Sequence, residues 1–206
     1  MRAVKALPFL AVVLFAAVLA PPTMADPRSP ASPATDRPNA VHCAYRLKPI
    51  GPDPDTPGAT LASPVLIGCF RSASDSIFAG TGGAVRLPES LAGSALTQEN
   101  LNRYGAAAAS SFLIGREYNS INYANLLKEY FVGSACTNSS GWTVSYVGDA
   151  LNDRFESGKG FSNCDHNYKY EHSGFRGARR HCSPNCADYG VLRNEVSSLK
   201  WLGYTI

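Results

Sequence analysis

The chain has 206 residues, of which 45% are hydrophobic and 17% charged, and its formal net charge is +3. This composition is typical of a folded protein with a core to bury, and it excludes a largely disordered chain. Arg2 and Lys5 carry two of the net positive charges, so residues 26–206 are left with +1. A charge this small excludes the broad basic surface that nucleic-acid binding needs.

Residues 1–25 have the pattern of a secretory signal peptide. Two basic residues precede an apolar run over residues 6–20, and small residues stand before Asp26. The run is shorter than the roughly 20 residues of a membrane-spanning helix, although a retained anchor is the alternative. We therefore expect a secreted, extracellular protein without a membrane span after processing. Residues 26–40 are rich in proline and polar side chains, which predicts a disordered linker.

All six cysteines follow the predicted signal peptide. An even number of cysteines in an oxidising compartment predicts three disulfides, although the sequence leaves their connectivity open. Their order along the chain favours Cys43 with Cys69, Cys136 with Cys164, and Cys182 with Cys186. A zinc site built from His181 and the last two cysteines is the alternative. It is disfavoured because thiolates outside the cell usually oxidise first.

Residues 41–89 are predicted to form a small β-rich region. VHCAYRLKPI and SPVLIGCFRS have the composition of strands, and a turn-rich loop separates them. The first two cysteines are placed to clip these strands together. SIFAGTGGAVRLP, residues 76–88, predicts a further hairpin because Gly82 and Gly83 suit a turn with positive φ.

Residues 90–110 are predicted to be a connector with a short helix. Thr97 is in the position of an N-cap, and Gly105 is a stop signal. From residue 111 onward the chain has short alternating apolar runs separated by Gly, Asn, Ser and Asp. This pattern predicts an antiparallel β domain over residues 111–206.

That last region contains an internal repeat. EYNSINYAN, residues 117–125, aligns with KYEHSGFRG, residues 169–177, at an offset of 52. Each copy has a tyrosine, an aromatic residue five positions later, and then a residue that tolerates positive φ. The matched pairs are Tyr118 with Tyr170, Tyr123 with Phe175, and Asn125 with Gly177. We predict a sharp backbone corner at the last position of each copy.

A second element follows each corner, in residues 151–161 and 192–201. Each has an Asn/Asp pair or its remnant, then serine, then a late aromatic. The order Tyr-x4-aromatic-x-Gly followed by (Asn/Asp)(Asn/Asp)-x-x-(Ser/Thr)-Ser resembles the Greek key of the βγ-crystallins, here present twice. The resemblance implies an all-β fold with a double Greek-key sandwich of eight strands at the C-terminus, preceded by the small disulfide-clipped β-rich region.

The late serines have an expected role in this fold. The hydroxyls of Ser157 and Ser198 can bond backbone groups of the folded hairpin, while the aromatic residues cover the core. The whole chain also resembles secreted actinobacterial proteins with this module. Some of those are labelled after a family of proteinase inhibitors that shares the fold.

In the βγ-crystallin family the second elements bind calcium, and two loops share two sites. Here Glu156 stands where the family has Ser or Thr, and Arg193 stands where an oxygen donor is expected. Arg193 offers only donors and a positive charge, so we expect it to pair with Asp153 or Glu195 instead of a metal. The resemblance thus implies at most one calcium site, with a dissociation constant of about 10⁻⁴ M or weaker. Its expected ligands are Asn152, Asp153, Glu156, Asn194 and Ser197.

The sequence contains neither GxSxG nor HExxH, so we expect no enzyme. The leading hypothesis is a secreted structural or binding module whose partner is an envelope component. One alternative is an inhibitor of a secreted protease, acting through the loop around Cys136 or the ring closed by Cys182 and Cys186. Another is a carbohydrate or surface adhesin that uses Trp142, Tyr146 and Tyr189 as stacking platforms. The oligomeric state is left open.

Overall fold

The computed structural model describes residues 42–206, so the predicted signal peptide and linker lie outside the described residues. The strands are β1 His42–Pro52, β2 Ala59–Phe70, β3 Phe112–Tyr118, β4 Leu126–Val132, β5 Gly141–Val144, β6 Ser157–Gly160, β7 His166–His172, β8 Arg176–Cys182 and β9 Ser198–Leu202. The α-helices are α1 Ala73–Gly80, α2 Glu89–Ala92 and α3 Gln98–Arg103, with 3-10 turns at Ala106–Ala108, Ile121–Tyr123 and Gly190–Leu192. The strands form one continuous sheet in the order β6-β3-β4-β1-β2-β5-β9-β7-β8.

Strands β3 to β9 form two interlocked Greek keys. In the first repeat β4, β3 and β6 pair antiparallel, and Cys186 of the second repeat bridges to Gly158 on β6. In the second repeat β8, β7 and β9 pair in the same way, and β5 of the first repeat pairs with β9. Each repeat therefore gives its third strand to the sheet of the other. The all-β fold and the double Greek key are confirmed, with the eighth strand reduced to the bridge at Cys186.

The hairpin of β1 and β2 connects the two Greek-key sheets. β1 pairs parallel with β4, and β2 pairs parallel with β5. A strand at the edge of a sheet has unpaired backbone N–H and C=O groups, and the hairpin satisfies these groups on both sheets at once. The β-rich region predicted before the crystallin-like repeats is thus part of their sheet.

The hairpin predicted for residues 76–88 is wrong, because α1 occupies the start of this segment. Ser72 caps α1, and its hydroxyl accepts a hydrogen bond from the Asp75 N–H at 3.0 Å. Gly82 and Gly83 do adopt positive φ, at 69° and 86°. They follow the end of a helix instead of turning a hairpin, and glycine with positive φ is common in both settings.

The helices form a layer on the outer face of the first Greek-key sheet. One hydrophobic cluster contains Ile77 of α1, Leu101 of α3 and Phe131 of β4, all buried. The predicted start of α3 is confirmed, since the Thr97 hydroxyl accepts a hydrogen bond from the Asn100 N–H at 3.2 Å. The connector therefore covers apolar surface as well as joining two β regions.

A buried polar network fixes this layer to the sheet. Arg116 of β3 and Glu129 of β4 are fully buried and form an ion pair. The guanidinium also donates to the carbonyls of Ala92 at 2.6 Å and Gly93 at 2.8 Å, and the Ser76 hydroxyl donates to Glu129. Burial opposes the charge on Arg116, but the adjacent carboxylate raises its pKa. The pairing allows both charges to stay inside the protein.

The aromatic corners have the same geometry in both repeats. The rings of Tyr118 and Tyr123 pack edge to face, with centroids 5.8 Å apart, and those of Tyr170 and Phe175 do so at 5.7 Å. This arrangement is a favoured one for aromatic pairs. The offset of the repeat, read from the sequence, therefore identifies equivalent positions in space.

The predicted positive φ at both corners is confirmed. Asn125 has φ of 54° and Gly177 has φ of 78°. The aromatic residues two positions earlier are also left-handed, with φ of 62° at Tyr123 and 60° at Phe175. A bulky residue adopts this conformation at a cost, so the surrounding contacts must hold it there.

The late serines supply those contacts, as predicted. The Ser157 hydroxyl donates to the Ser120 carbonyl at 2.6 Å and accepts from the Tyr123 N–H at 3.1 Å. The Ser198 hydroxyl makes the equivalent pair, with the His172 carbonyl at 2.7 Å and the Phe175 N–H at 3.1 Å. One side chain thus holds both sides of each folded hairpin.

The three disulfides that the order of the cysteines favours are present. They join Cys43 with Cys69, Cys136 with Cys164 and Cys182 with Cys186. The alternative of a zinc site at Cys182 and Cys186 is wrong, because both sulfurs belong to a disulfide and neither is a free thiolate. The last two disulfides border the main hydrophobic cluster between the sheets, which also contains Tyr130, Phe155 and Trp201.

Replacing either late serine with alanine should destabilise the protein by a similar amount. Ser157→Ala and Ser198→Ala each remove a donor and an acceptor for partly buried backbone groups, so we expect a loss of about 1–3 kcal/mol in the free energy of unfolding. Urea denaturation measures it. Ser139→Ala is the matched control, since this serine is exposed. Unchanged unfolding of either corner variant contradicts the role assigned to the serines.

Candidate functional site

The two loops that follow the corners lie side by side. The Asp153 N–H donates to the Val196 carbonyl at 3.3 Å, and the Asn194 N–H donates to the Phe155 carbonyl at 3.0 Å. These are equivalent positions in the two repeats, so the loops are related by a local two-fold axis. The structure therefore places the two loops that contain the predicted calcium ligands next to each other.

The backbone of the loops explains part of their composition. Asp153 and Asn194 both have φ of 57°. Among residues with a side chain, Asn and Asp adopt the left-handed region most readily. Acidic or amide residues at these two positions are consequently favoured by the fold, whether or not an ion binds.

One side-chain hydrogen bond joins the two loops. The Asn194 Nδ2 donates to the Glu156 Oε1 at 2.9 Å, which joins the two loops. The Asn152 Nδ2 donates to the Asp153 Oδ2 at 2.7 Å. The Asn152 Oδ1 is buried and has no hydrogen-bond partner among the described residues. A buried acceptor without a partner is costly, and a cation or an ordered water removes that cost.

Ser197 is oriented differently from its counterpart Glu156. Its side chain is buried, and its hydroxyl donates to the Glu171 carbonyl at 2.7 Å. Its backbone N–H donates to the Tyr170 carbonyl at 2.9 Å, just as the Glu156 N–H donates to the Tyr118 carbonyl at 2.8 Å. The backbones of the two loops therefore match, while the fifth position differs in both length and hydrogen bonding.

Arg193 pairs with Asp188, so the predicted pairing with Asp153 or Glu195 is wrong. Its Nε and Nη2 donate to the two carboxylate oxygens of Asp188, each at 2.7 Å. The hydrogen bond from Arg193 lowers the pKa of Asp188. Asp188 lies in a turn five residues earlier, and the sequence contained no sign that this turn returns to Arg193.

The first loop has three side-chain oxygen donors, Asn152, Asp153 and Glu156, and the second has Asn194 and Ser197. Asn152, Asp153, Glu156 and Asn194 can supply side-chain oxygens, which is fewer than the six to eight that calcium takes, so backbone carbonyls or water must supply the rest. The second loop has the guanidinium of Arg193 at the position of a ligand. Within residues 42–206 there is no cluster of three or more His, Cys, Asp or Glu suited to a metal.

A second ion pair lies between the two sheets and is closed to solvent. The Lys169 Nζ donates to the Glu117 Oε1 at 2.5 Å, and the Tyr189 hydroxyl donates to the other carboxylate oxygen. Burial raises the pKa of Glu117 and lowers that of Lys169, and the partner opposes each shift. These groups line no open cleft, so their shifted pKa values reflect burial and not access to a substrate.

Two of the three predicted stacking platforms are buried. Trp142 and Tyr189 are 7% and 0% exposed, which makes them wrong for binding sugars. Tyr146 is 41% exposed, and its hydroxyl donates to the Asp149 Oδ1 at 2.5 Å. An alternating strand pattern does not show which of the two faces of a strand is covered. Trp142 is buried because both faces of β5 are covered.

Lys128 is a buried cation that no sequence motif identified. It lies on β4 and is only 2% exposed, yet its ammonium has no hydrogen-bond acceptor or carboxylate partner among the described residues. Its Nζ lies 3.6 Å from the ring centroid of Tyr45 and 5.1 Å from that of Tyr130. Burial lowers its pKa to about 7. A lysine two residues before a tyrosine in an apolar strand was the available signal.

Lys128→Met should stabilise the protein in a pH-dependent way. The pKa of Lys128 falls from 10.5 to about 7 on folding, so below about pH 7 the folded protein holds a buried charge that the unfolded chain keeps in water. This cost declines as the pH rises from 7 towards 10.5. We expect methionine to add roughly 2–4 kcal/mol to the free energy of unfolding below pH 7, and less near pH 10.

Denaturation across this pH range tests the effect of Lys128. Lys48→Met on the exposed face of β1 is the matched control, for which we expect a change independent of pH. If the methionine variant at position 128 is less stable than the wild type at low pH, the contacts with Tyr45 and Tyr130 outweigh the cost of burial.

Comparisons with known proteins add one structural similarity. The chain is similar to a solved structure described as a βγ-crystallin from an archaeon, with 20% identity, a TM-score of 0.32, and coverage of 44% of this chain and 98% of that one. No family model matches the chain, and no curated protein does. Among the described residues, no helix is long and apolar enough to cross a membrane.

Proposed function

We propose that this protein is a secreted, non-enzymatic βγ-crystallin-like module that serves as a structural or binding unit outside the cell. The doubled corner with its two adjoining loops is the observation that carries the proposal. Three disulfides support an oxidising location. In this proposal the partner is an envelope component that contacts the exposed loops. The protein binds this partner without catalysing a reaction.

The proposed module has one weak calcium site, at the contact of the two loops. The unpartnered oxygen of Asn152 and the carboxylate of Glu156 support it, together with Asp153 and Asn194. Ser197 would contact the ion only through a lone pair of its hydroxyl oxygen, because the hydroxyl proton is donated to the Glu171 carbonyl. A bound ion would join the repeats at the place where Asn194 already bonds Glu156.

Thermal unfolding with EDTA or with millimolar calcium tests the ion. Binding to the folded state alone raises the melting temperature, and we expect a small rise for the wild type. Glu156→Gln should reduce this rise, because it removes the charge of one of the two carboxylates in the set. Arg193→Asn should enlarge it, since an oxygen donor then replaces a cation at the first position of the second loop.

Arg154→Asn is the matched control for Arg193→Asn. It removes the same charge from the other loop, at a position where the family has no ligand. An equal gain from both changes would mean that general electrostatics, and not a new ligand, strengthens binding. A melting temperature that calcium leaves unchanged in the wild type and in Arg193→Asn removes the calcium site and leaves the structural module in place.

A proteinase inhibitor is the second candidate, and the loop around Cys136 favours it. Residues 137–139 are exposed, while the disulfide to Cys164 and the bond between the Ser140 N–H and the Thr137 carbonyl at 3.1 Å hold the loop. A rigid exposed loop binds a protease with a small ordering cost. Assays against secreted metalloproteases and serine proteases test it. If micromolar protein inhibits none of these proteases, the inhibitor candidate is excluded and the structural or binding module is the remaining proposal.

A further inference from the structure

A cavity lies where the β1–β2 hairpin, strand β4 and the segment 146–151 meet. Its volume is about 350 Å³, within the range of small-molecule sites. The hairpin contributes Tyr45, Ser63 and Pro64, and β4 contributes Lys128. None of the five predicted calcium ligands lines it, so it is separate from the contact of the two loops.

Lys128 differs from the other buried cations of the described chain. Arg116 forms an ion pair with Glu129, and Lys169 forms one with Glu117. The Lys200 Nζ donates to the Thr56 Oγ1 at 2.5 Å. Lys128 alone among these four cations has no acceptor. Its Nζ is not one of the fully buried side-chain atoms without a partner, so the ammonium faces the cavity, where a ligand or water can reach it.

The groups facing Lys128 do not neutralise its charge. Tyr45 of β1 and Tyr130 of β4 present their rings to the ammonium. Glu117, directly opposite on β3, is committed to Lys169. Asp149 is also in the cavity wall, but it accepts a hydrogen bond from Tyr146 and forms no ion pair with Lys128.

We propose that this cavity binds a small organic monoanion, namely a carboxylate carried on an aromatic or aliphatic body. The carboxylate would accept a hydrogen bond from the Lys128 Nζ, and the body would pack against apolar wall residues such as Tyr45, Pro64 and Leu151. Arg116 and Lys169 have carboxylate partners within the protein, and in this proposal a ligand carboxylate is the corresponding partner of Lys128. Asp149 in the wall disfavours ligands with two or more negative charges, such as sulfate.

Benzoate is a suitable probe for the complete exported protein. In an NMR titration below pH 7, benzoate should cause saturable shifts at Lys128 and Tyr45. Benzyl alcohol has the same ring without the charge and should bind about tenfold more weakly. Sulfate should cause no saturable shift at Lys128. Benzoate binding should weaken above about pH 7, where Lys128 loses its proton.

Two variants separate the site from unspecific binding. Lys128→Met should weaken benzoate binding by about tenfold or more, and Lys48→Met, on the exposed face of the same hairpin, should leave it unchanged. Asp149→Asn alters an exposed side chain, so folding is not at risk. It should strengthen benzoate binding by about two- to threefold, because a repulsive charge is removed.

Three results would overturn the proposal. The first is benzoate binding to folded Lys128→Met with wild-type affinity. The second is a set of shifts confined to the exposed basic strand β8, at Arg179 and Arg180. The third is the absence of saturation at any accessible concentration, which would mean that the rings of Tyr45 and Tyr130 are the only partners of Lys128.

Discussion

A serine hydroxyl that bonds both sides of a folded hairpin is the interaction on which the double Greek key depends. It holds Tyr123 and Phe175 in a left-handed conformation that a bulky residue does not adopt unaided. Phe175 packs against a core cluster, and Tyr123 packs edge to face on Tyr118. Because each loop immediately precedes its serine, the same interaction brings the two loops together. The geometry of the candidate calcium site is therefore a consequence of the corners.

The N-terminal part of the described chain completes this sandwich in two ways. Its hairpin pairs with β4 and β5 and so removes one exposed edge from each sheet. Its helices cover the outer face of the first sheet through an apolar cluster and the ion pair of Arg116 with Glu129. Removing one partner of a buried ion pair is strongly destabilising, because it leaves the other charge buried and unpaired. The helical layer is thus held in a defined position.

Features with a local cause could be predicted from the sequence. Positive φ at Asn125 and Gly177, the cap at Thr97 and the role of the late serines each follow from a residue type and its near neighbours. Features that depend on distant contacts could not. The glycines after α1 fit a helix end and a hairpin equally well. The pairing of Arg193 with Asp188 and the burial of Trp142 and Tyr189 depend on how loops and sheets meet in space.

The candidate calcium loops and the cavity at Lys128 support function to different degrees. At the loops, Asp153 and Asn194 have a reason to be present even without an ion, because their backbone is left-handed. Residue type alone is therefore weak evidence there, and the unpartnered oxygen of Asn152 is the stronger observation. At Lys128 no backbone conformation calls for this residue type, and its described partners are two aromatic rings. Methionine or leucine would fill its place in an apolar strand without the cost of a buried charge, and the ammonium lines a cavity beside the rings of Tyr45 and Tyr130.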